Sequence, residues 1–247
     1  MTQLLTLTVT DEPSTWESLG FTVDDIAVRI GTVTVLCAGV NSVPNSEPDK
    51  SGQSVHVDTK GIVEWTIGWE PETLFAHDLD PDNLPGDIDG IPTSSIVGAG
   101  APPVAPAHPN GVTTIDHVVV MTPDLDRTVT EFESLGVMCR RVREGASYGS
   151  KAMRQAFFWM GNPEGTDEEK VIVEVVGPQV VDPDHAHEPA RFFGLALTSA
   201  DLTLSASVIG EHMKQPTEAV QPGRKIASIS SKAGSTVALV LMSPHPK

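Results

Sequence analysis

Basic side chains are scarce in this sequence of 247 residues. Lysine and arginine number 16 against 33 aspartate and glutamate residues, which gives a formal net charge of −17. Nucleic acids and anionic membranes are bound through basic surfaces, so neither is expected as a partner. An acidic surface of this kind mainly serves solubility.

Cysteine is also rare, with only Cys37 and Cys139 in the chain. They lie far apart inside apolar runs, which predicts buried free thiols and excludes a disulfide framework. Long apolar runs are missing as well, and the N-terminal stretch is interrupted by threonines and lacks a basic region. These features argue against a signal peptide and a membrane span, and a cytoplasmic location is expected.

Proline, glycine and acidic residues are concentrated between Glu70 and Gly111, where few residues favour a helix or a central strand. This composition predicts a linker over residues 76–111 that joins two halves. The expected N-terminal half covers residues 1–75, and the expected C-terminal half covers residues 112–247. The chain is long enough for each half to bury a core.

An internal repeat decides the predicted architecture. The segment Ile115–Leu125 aligns with Phe192–Leu202, and each has the order strand, polar turn and amphipathic stretch. The amphipathic stretch ends at Gly136 in the first copy and at Gly210 in the second, and glycine favours the left-handed end of a helix. Three strand-like runs follow each glycine. Each copy therefore predicts a βαβββ module.

The predicted fold class is α+β, with paired βαβββ modules that form cupped mixed sheets. The complete pair is expected over residues 112–178 and 191–244. A fainter copy at the start of the chain ends at Gly20, so the N-terminal half is expected to be a degenerate βαβββ-like unit. A further strand, Gly61–Trp69, stands alone and is interpreted as the first strand of a deleted module.

Three segments carry a resemblance to a known family: IDHVVVMTPDLD, VIVEVVGP and FFGLALTSADL. They are similar to strands of the vicinal oxygen chelate superfamily, which includes glyoxalases, bleomycin-resistance proteins and extradiol dioxygenases. The resemblance covers residues 111–244 well and residues 1–40 weakly. It implies that two modules form a cupped half-barrel, and that a metal ion inside is held from the first and last strands of the modules. Members of the superfamily commonly dimerise, so a homodimer is a further expectation.

The resemblance assigns His117 and Glu174 as metal ligands. Because side chains alternate along a strand, His117 is expected to share a face with Ile115, Val119 and Met121. A histidine and a carboxylate facing an apolar cup supply two ligands of a facial triad, which suits iron, manganese, nickel or zinc. A mutual hydrogen bond between the two side chains is the alternative. Glu64, on the separate strand, is a candidate third ligand, although such a glutamate is more often solvated.

The second module departs from the family pattern. Gly194 stands where the resemblance places a histidine, and Val240 stands where it places a carboxylate. Neither residue has a side chain that binds a metal, so the expected metal site is incomplete. The predicted inward face of this module suits an apolar ligand. It comprises Phe192, Gly194, Ala196, Thr198, Ala238, Val240 and Met242.

Arg154 and Arg224 begin strands at equivalent places of the two modules. Both are candidates for binding an anionic group of a ligand through bidentate hydrogen bonds. A salt bridge at the strand end is the alternative in so acidic a protein. His108, His185 and His187 lie in polar connecting segments, where an exposed role is expected rather than metal binding.

The sequence supports three hypotheses about function. The first is a glyoxalase-like protein that binds a small, largely apolar molecule in the cup between the modules, without a complete metal site. The second is a metal-dependent lyase, isomerase or dioxygenase that uses His117 and Glu174 as ligands. The third is a scaffold whose cup is filled by its own side chains. The sequence leaves open whether the protein is an enzyme.

Overall fold

The computed structural model describes residues 2–39, 60–100, 102–148, 151–161 and 170–246. Within them the chain forms two mixed sheets with short helices. One sheet comes from the N-terminal half and the other from the C-terminal half. The predicted α+β class and the paired βαβββ modules are confirmed.

The N-terminal sheet contains two βαββ units within the described residues. The strands and helix of the first unit are β1 (Thr2–Val9), α1 (Pro13–Ser18), β2 (Ala27–Ile30) and β3 (Val33–Cys37). Those of the second unit are β4 (Ile62–Trp69), α2 (Pro71–Ala76), β5 (Asp87–Ile88) and β6 (Ile91–Val97). In each unit the first strand pairs in parallel with the last, and β1 pairs antiparallel with β4.

The second unit corrects the interpretation of β4 as a lone strand. This strand begins a unit of its own, and its parallel partner β6 follows it in the chain. Strands β5 and β6 lie inside residues 76–111, the segment expected to be a linker. Asp89 and Gly90 have positive φ angles of 52° and 82° in the turn between these strands. Turns between strands therefore explain part of the high glycine and aspartate content of residues 76–111. The boundaries of the two halves stay a prediction.

The C-terminal sheet consists of two complete βαβββ modules. The elements of the first are β7 (Val112–Met121), α3 (Leu125–Ser134), β8 (Cys139–Tyr148), β9 (Lys151–Gly161) and β10 (Lys170–Pro178). Those of the second are β11 (Arg191–Ser199), α4 (Leu202–Ile209), β12 (Thr217–Glu218), β13 (Lys225–Ser228) and β14 (Ala238–Met242). The strand order β12-β13-β14-β11-β7-β10-β9-β8 places the two first strands, β7 and β11, side by side in the centre.

Local sequence explains where the two module helices begin and end. The side chain of Asp124 accepts a hydrogen bond from the backbone N–H of Arg127, and Asp201 accepts one from Thr203. These contacts satisfy backbone donors in the first turn of each helix, where no carbonyl of the helix is available. The glycines that follow the helices have positive φ angles, 77° at Gly136 and 65° at Gly210. The predicted glycine stops are confirmed.

The two sheets share one hydrophobic core. Trp65 on β4 contacts the rings of Phe132 on α3 and Phe192 on β11, with ring centroids 5.9 and 5.2 Å away. Arg127 Nε donates to Asp89 Oδ1 at 2.7 Å, which ties α3 to the turn between β5 and β6. The N-terminal half thus packs on the helix-bearing side of the C-terminal sheet. The opposite face of that sheet is not covered by this packing and is the place for a candidate binding site.

Both cysteines are free thiols. Burial, together with the negative charges of Asp11 and Glu12, raises the pKa of the Cys37 thiol to about 12. The expected burial is confirmed for Cys37, whereas Cys139 is only half-buried. Across the parts of the chain that the structure describes, no helix combines the length and the apolar character needed to cross a membrane.

Candidate functional site on the cup face of the C-terminal sheet

The candidate site lies on the face of the C-terminal sheet that points away from its helices. Val118 and Val120 of β7 and Val173 and Val175 of β10 belong to the core. Because side chains alternate, the residues between them lie on the opposite face, which we call the cup. On the four central strands, the cup residues include His117, Val119, Met121, Lys170, Ile172, Glu174, Val176, Gly194, Ala196, Ala238, Val240 and Met242.

His117 is held between two carboxylates near the middle of the cup. Its Nδ1 lies 2.9 Å from Asp116 Oδ1, and its Nε2 lies 3.3 Å from Glu174 Oε2. If Nδ1 donates its hydrogen to Asp116, the lone pair of Nε2 faces a carboxylate oxygen. Two acceptors at this distance repel each other unless a proton or another cation lies between them. The pair therefore favours a shared proton, a metal ion or a donor group of a ligand.

A β-bulge lets two consecutive residues of β7 act together. The register with β11 pairs Ile115 with Leu197 and His117 with Ala196, which leaves Asp116 as the extra residue. Regular alternation would place Asp116 and His117 on opposite faces. The prediction that Ile115 shares the face of His117 is wrong, because the bulge lets Ile115 turn into the core.

Glu174 has a second partner in Gln155, which lies on β9. The side-chain nitrogen of Gln155 donates a hydrogen bond to Glu174 Oε1. Within the described residues, Gln155 Oε1 is buried and has no hydrogen-bond partner. An unsatisfied acceptor of this kind costs on the order of 1–3 kcal/mol. Its place beside Glu174 favours a ligand that supplies a donor or a cation.

Asp116 forms a buried ion pair with Arg224 behind His117. Arg224 Nη2 donates to Asp116 Oδ2 at 2.5 Å, and the Thr198 hydroxyl donates to the same oxygen at 3.1 Å. Burial by itself would raise the pKa of Asp116, but hydrogen bonds from His117 and Arg224 outweigh it and hold that pKa well below its usual range. Asp116 is therefore a carboxylate at neutral pH, and it fixes the orientation of the imidazole.

The guanidinium of Arg224 is occupied by groups of the protein. Besides Asp116, it donates to the carbonyl of Ser243 at 2.8 Å and to Gln221 Oε1 at 2.7 Å, and Nη1 lies 3.2 Å from His245 Nε2. This arrangement matches the salt-bridge alternative for Arg224. The side chain positions Asp116 and leaves no donor pair for a bidentate contact with a ligand.

The structure does not bring Arg154 or Phe192 to the cup. Arg154 alternates with Gln155 and points to the helix side, where it donates to Glu144 and Asp126 at 2.9 Å. Phe192 packs on Trp65 in the core region. A register shift between Phe192 and Gly194 makes the two residues face opposite sides, although a regular strand would have placed them together.

Strand register shows that Gly194 and Val240 are the equivalents of His117 and Glu174. In the second module Val240 pairs with the residue two positions after Gly194, and in the first module Glu174 pairs with the residue two positions after His117. A Cβ atom on Gly194 would lie 2.3 Å from the carbonyl oxygen of Ala238. No side chain fits there without a backbone shift, so the close approach of β11 and β14 excludes a histidine.

The cup offers donors for a divalent metal only on the first module. His117 Nε2, Glu174 and the unpartnered Gln155 Oε1 are nitrogen and oxygen donors on three neighbouring strands. Asp116 on Nδ1 is the kind of outer partner that metal-bound histidines usually have. In the described ranges, no group of three or more His, Cys, Asp or Glu side chains is arranged to hold a metal. These residues fit an ion held from one side, by two strong donors and an amide oxygen.

The other candidate residues lie outside the cup. Glu64 belongs to the N-terminal sheet, where its carboxylate accepts a hydrogen bond of 2.5 Å from Ser94, so it is not a third ligand. His185 pairs with Asp182 in an exposed turn. His108, which was expected to be exposed, is buried with 6% of its surface accessible.

An open cleft of about 500 Å³ lies beside the start of β7. Its lining has no ionisable side chain and combines residues 102–107 with Gly31, Thr32 and Val112–Thr114. The cleft thus lacks groups for acid, base or metal chemistry. The titratable residues of interest are on the cup.

Known proteins resemble this chain in structure and not in sequence. No protein-family model and no curated protein matches the sequence. A triple mutant of 4-hydroxymandelate synthase from Streptomyces coelicolor matches with a TM-score of 0.61 and 13% identity, over 99% of this chain and 93% of that chain.

Two methylmalonyl-CoA epimerases match only part of the chain. The Streptomyces coelicolor enzyme, in complex with 2-nitronate-propionyl-CoA, has 19% identity and a TM-score of 0.42, over 55% of this chain and 99% of its own. The Mycobacterium tuberculosis enzyme has 18% identity and a TM-score of 0.40, over 55% and 91%.

The match to 4-hydroxymandelate synthase extends over both sheets of this chain. In the C-terminal sheet of this chain, two βαβββ modules meet along their first strands. The chain therefore shares its overall fold with that protein.

Proposed function

We propose that the protein binds a small, largely apolar molecule in the cup, without a metal ion held between the two modules. The observation that carries this proposal is the buried Gln155 Oε1, an acceptor without a partner beside Glu174 and His117. Apolar side chains of the cup surround Gln155, Glu174 and His117. A ligand with an apolar body and one donor group would satisfy both features.

The accessibility of the apolar cup residues supports a partly open face. Val119, Met121, Ile172 and Val240 are half-buried, whereas Val176, Ala196 and Met242 are buried like the core residues of the same strands. A cup filled completely by its own side chains would bury all seven residues. The scaffold hypothesis is therefore less well supported than ligand binding.

A neutral fluorescent probe tests this proposal. Anilinonaphthalene without a charged group becomes fluorescent in apolar sites, and we expect saturable binding to the protein. Val119→Phe places a larger side chain between Glu174 and the second module, and we expect it to weaken binding about tenfold by steric exclusion. Val220→Phe is the matched control, because Val220 is 73% exposed in a loop. Absence of saturable binding, or equal affinity of both variants, would overturn the proposal.

A metal-dependent lyase, isomerase or dioxygenase is a second candidate function. It is favoured by the 3.3 Å between His117 Nε2 and Glu174 Oε2 together with the free acceptor of Gln155. A bound metal would act as a Lewis acid on an oxygen of the ligand. In that case His117, Glu174 and Gln155 hold the ion, and Asp116 orients the imidazole.

Metal analysis separates the two functions. Protein purified without chelator is measured for iron, manganese, nickel and zinc, alongside His117→Ala and the control His185→Ala. We expect no stoichiometric metal in any of the three proteins. One ion per chain that disappears only in His117→Ala would replace the first proposal with the second. The cytoplasmic location, the homodimer and the absence of a nucleic-acid partner stay predictions.

A further inference from the structure

Two arginines face the cup from the edge strand of the first module. In the antiparallel pair of β8 and β9, Arg141 lies opposite Phe157 and Arg143 lies opposite Gln155. Directly paired residues of antiparallel strands share a face of the sheet. Phe157 and Gln155 alternate with core residues and belong to the cup, so Arg141 and Arg143 are on the cup side as well.

A tryptophan with two further cations adjoins these arginines. Trp159 is 39% exposed, and it follows Gln155 and Phe157 on the same face of β9. The guanidinium carbon of Arg140 lies 5.3 Å from its ring centroid, and the ammonium nitrogen of Lys170 lies 5.4 Å from it. These distances are typical of cation–π contacts. We call Arg140, Arg141, Arg143 and Lys170 the basic rim.

The basic rim is unusual in a protein with a net charge of −17. Arg29, Arg127 and Arg154 each form an ion pair with a carboxylate. In the described part of the chain, no ion pair joins Arg141 or Arg143 to a carboxylate. The two residues are two positions apart on one face, so their Cα atoms are about 7 Å apart. Their charges repel each other, and an anion between them would relieve the repulsion.

We propose that the ligand of the cup is an anion with an aromatic or apolar body. Arg141 and Arg143 bind its carboxylate, sulfonate or phosphate oxygens at the rim, because the planar guanidinium group matches such oxygens. The body lies against Phe157 and Trp159 and extends toward Gln155. This inference rests on the proposed function and adds the charge of the ligand to it.

Protection of the sheet edge is the competing explanation for the arginines. β8 is the last strand of its sheet, and charged side chains on an edge strand prevent pairing with other chains. In that case the arginines would have no preference for an anionic ligand in the cup. The two explanations therefore predict different affinities of the cup for a negatively charged probe.

Two probes with the same aromatic body provide the test. Anilinonaphthalene sulfonate carries one negative charge, and its neutral parent anilinonaphthalene carries none. We expect the wild-type protein to bind the sulfonate about tenfold more tightly than the neutral probe, although the overall negative charge of the protein opposes it. The preference should decrease as sodium chloride screens the charges.

In the variant Arg141→Gln/Arg143→Gln, the sulfonate should bind no more tightly than the neutral probe. The control Arg29→Gln/Lys232→Gln removes the same charge from distant surfaces and should keep the preference. Binding of the neutral probe without any preference for the sulfonate would overturn this inference and leave the proposed function intact. A preference that survives in Arg141→Gln/Arg143→Gln would also overturn it. Failure of both probes to bind would refute the proposed function, and this inference with it.

Discussion

Asp116 Oδ1 lies 2.9 Å from His117 Nδ1, although the two residues are consecutive in one strand. The bulge at Asp116 makes this contact possible, because it interrupts the alternation of side chains. Through its second oxygen Asp116 is bound to Arg224, which lies 108 positions away in the second module. The orientation of the cup histidine thus depends on both modules.

We expect Asp116→Asn to lower the free energy of unfolding by about 3–5 kcal/mol, because it leaves the buried guanidinium of Arg224 without a counter-charge. The measurement is urea unfolding at neutral pH. Asp126→Asn is the control, since Asp126 is 72% exposed in its pair with Arg154 and should contribute less than about 1 kcal/mol. A similar loss in both variants would contradict a special role for the buried pair.

The contribution of Asp116 should disappear in acid. Its pKa in the folded protein is lowered through hydrogen bonds from His117 and Arg224 that outweigh burial, whereas the unfolded chain has a value of about 3.9. The unfolded state therefore takes up the proton first as the pH falls. The stabilisation is present above about pH 4 and is lost below it. Unfolding measured from pH 6 down to pH 2 should show the difference between wild type and Asp116→Asn shrinking below pH 4. A constant difference would disprove the linkage.

Gly194→Ala should destabilise the protein by about 1–3 kcal/mol, because the added Cβ meets the carbonyl oxygen of Ala238 and forces the strands apart. Thermal or urea unfolding measures the change. Gly86→Ala is the matched control, since a Cβ at Gly86 has no neighbour within 4 Å. If Gly194→Ala is as stable as the control, the absence of a histidine at this position has another cause.

His108 should make stability depend on pH in the neutral range. Its Nδ1 accepts from the backbone N–H of Thr22 at 3.0 Å, and its Nε2 lies 2.9 Å from the carbonyl of Arg29, so the neutral ring satisfies both contacts. Burial lowers the pKa of His108 despite the opposing hydrogen bond to Arg29. The unfolded chain therefore binds the proton first, and stability falls as the pH decreases below about 6.5.

The free energy of unfolding between pH 7.5 and pH 5 tests this expectation for His108. We expect His108→Asn to show a shallower dependence on pH than the wild type. His187→Asn, at an exposed histidine, should keep the wild-type dependence. Parallel curves for wild type and His108→Asn would rule out His108 as the group responsible.

Local patterns in the sequence were sufficient to predict the order of strands and helices in the C-terminal modules. Asp124 and Asp201 begin helices, and Gly136 and Gly210 follow them, because these roles depend on contacts within a few residues. The two units of the N-terminal sheet were harder to predict. Strand β5 has only two residues and is followed by a turn, so its composition resembled that of a linker.

Bulges account for the residues that alternation placed on the wrong face. One extra residue at Asp116 turns Ile115 into the core, and a register shift after Phe192 turns that ring toward Trp65. A bulge depends on pairing with a distant strand, so the local period of the sequence does not reveal it. The sequence did not identify Gln155 as a site residue for a related reason. Its role depends on its hydrogen bond to Glu174, which lies on a neighbouring strand.

The sequence alone determined which chemical groups stand at the four key positions: His117 and Glu174 in one module, Gly194 and Val240 in the other. Their equivalence follows from the internal repeat, which is visible in the sequence without knowledge of any contact in the fold. Only the tertiary structure decided that Asp116 and Arg224 hold His117 in place, that Arg154 points away, and that Gln155 keeps a free acceptor in the cup. Those roles depend on bulges and long-range contacts, which form only when the strands pair.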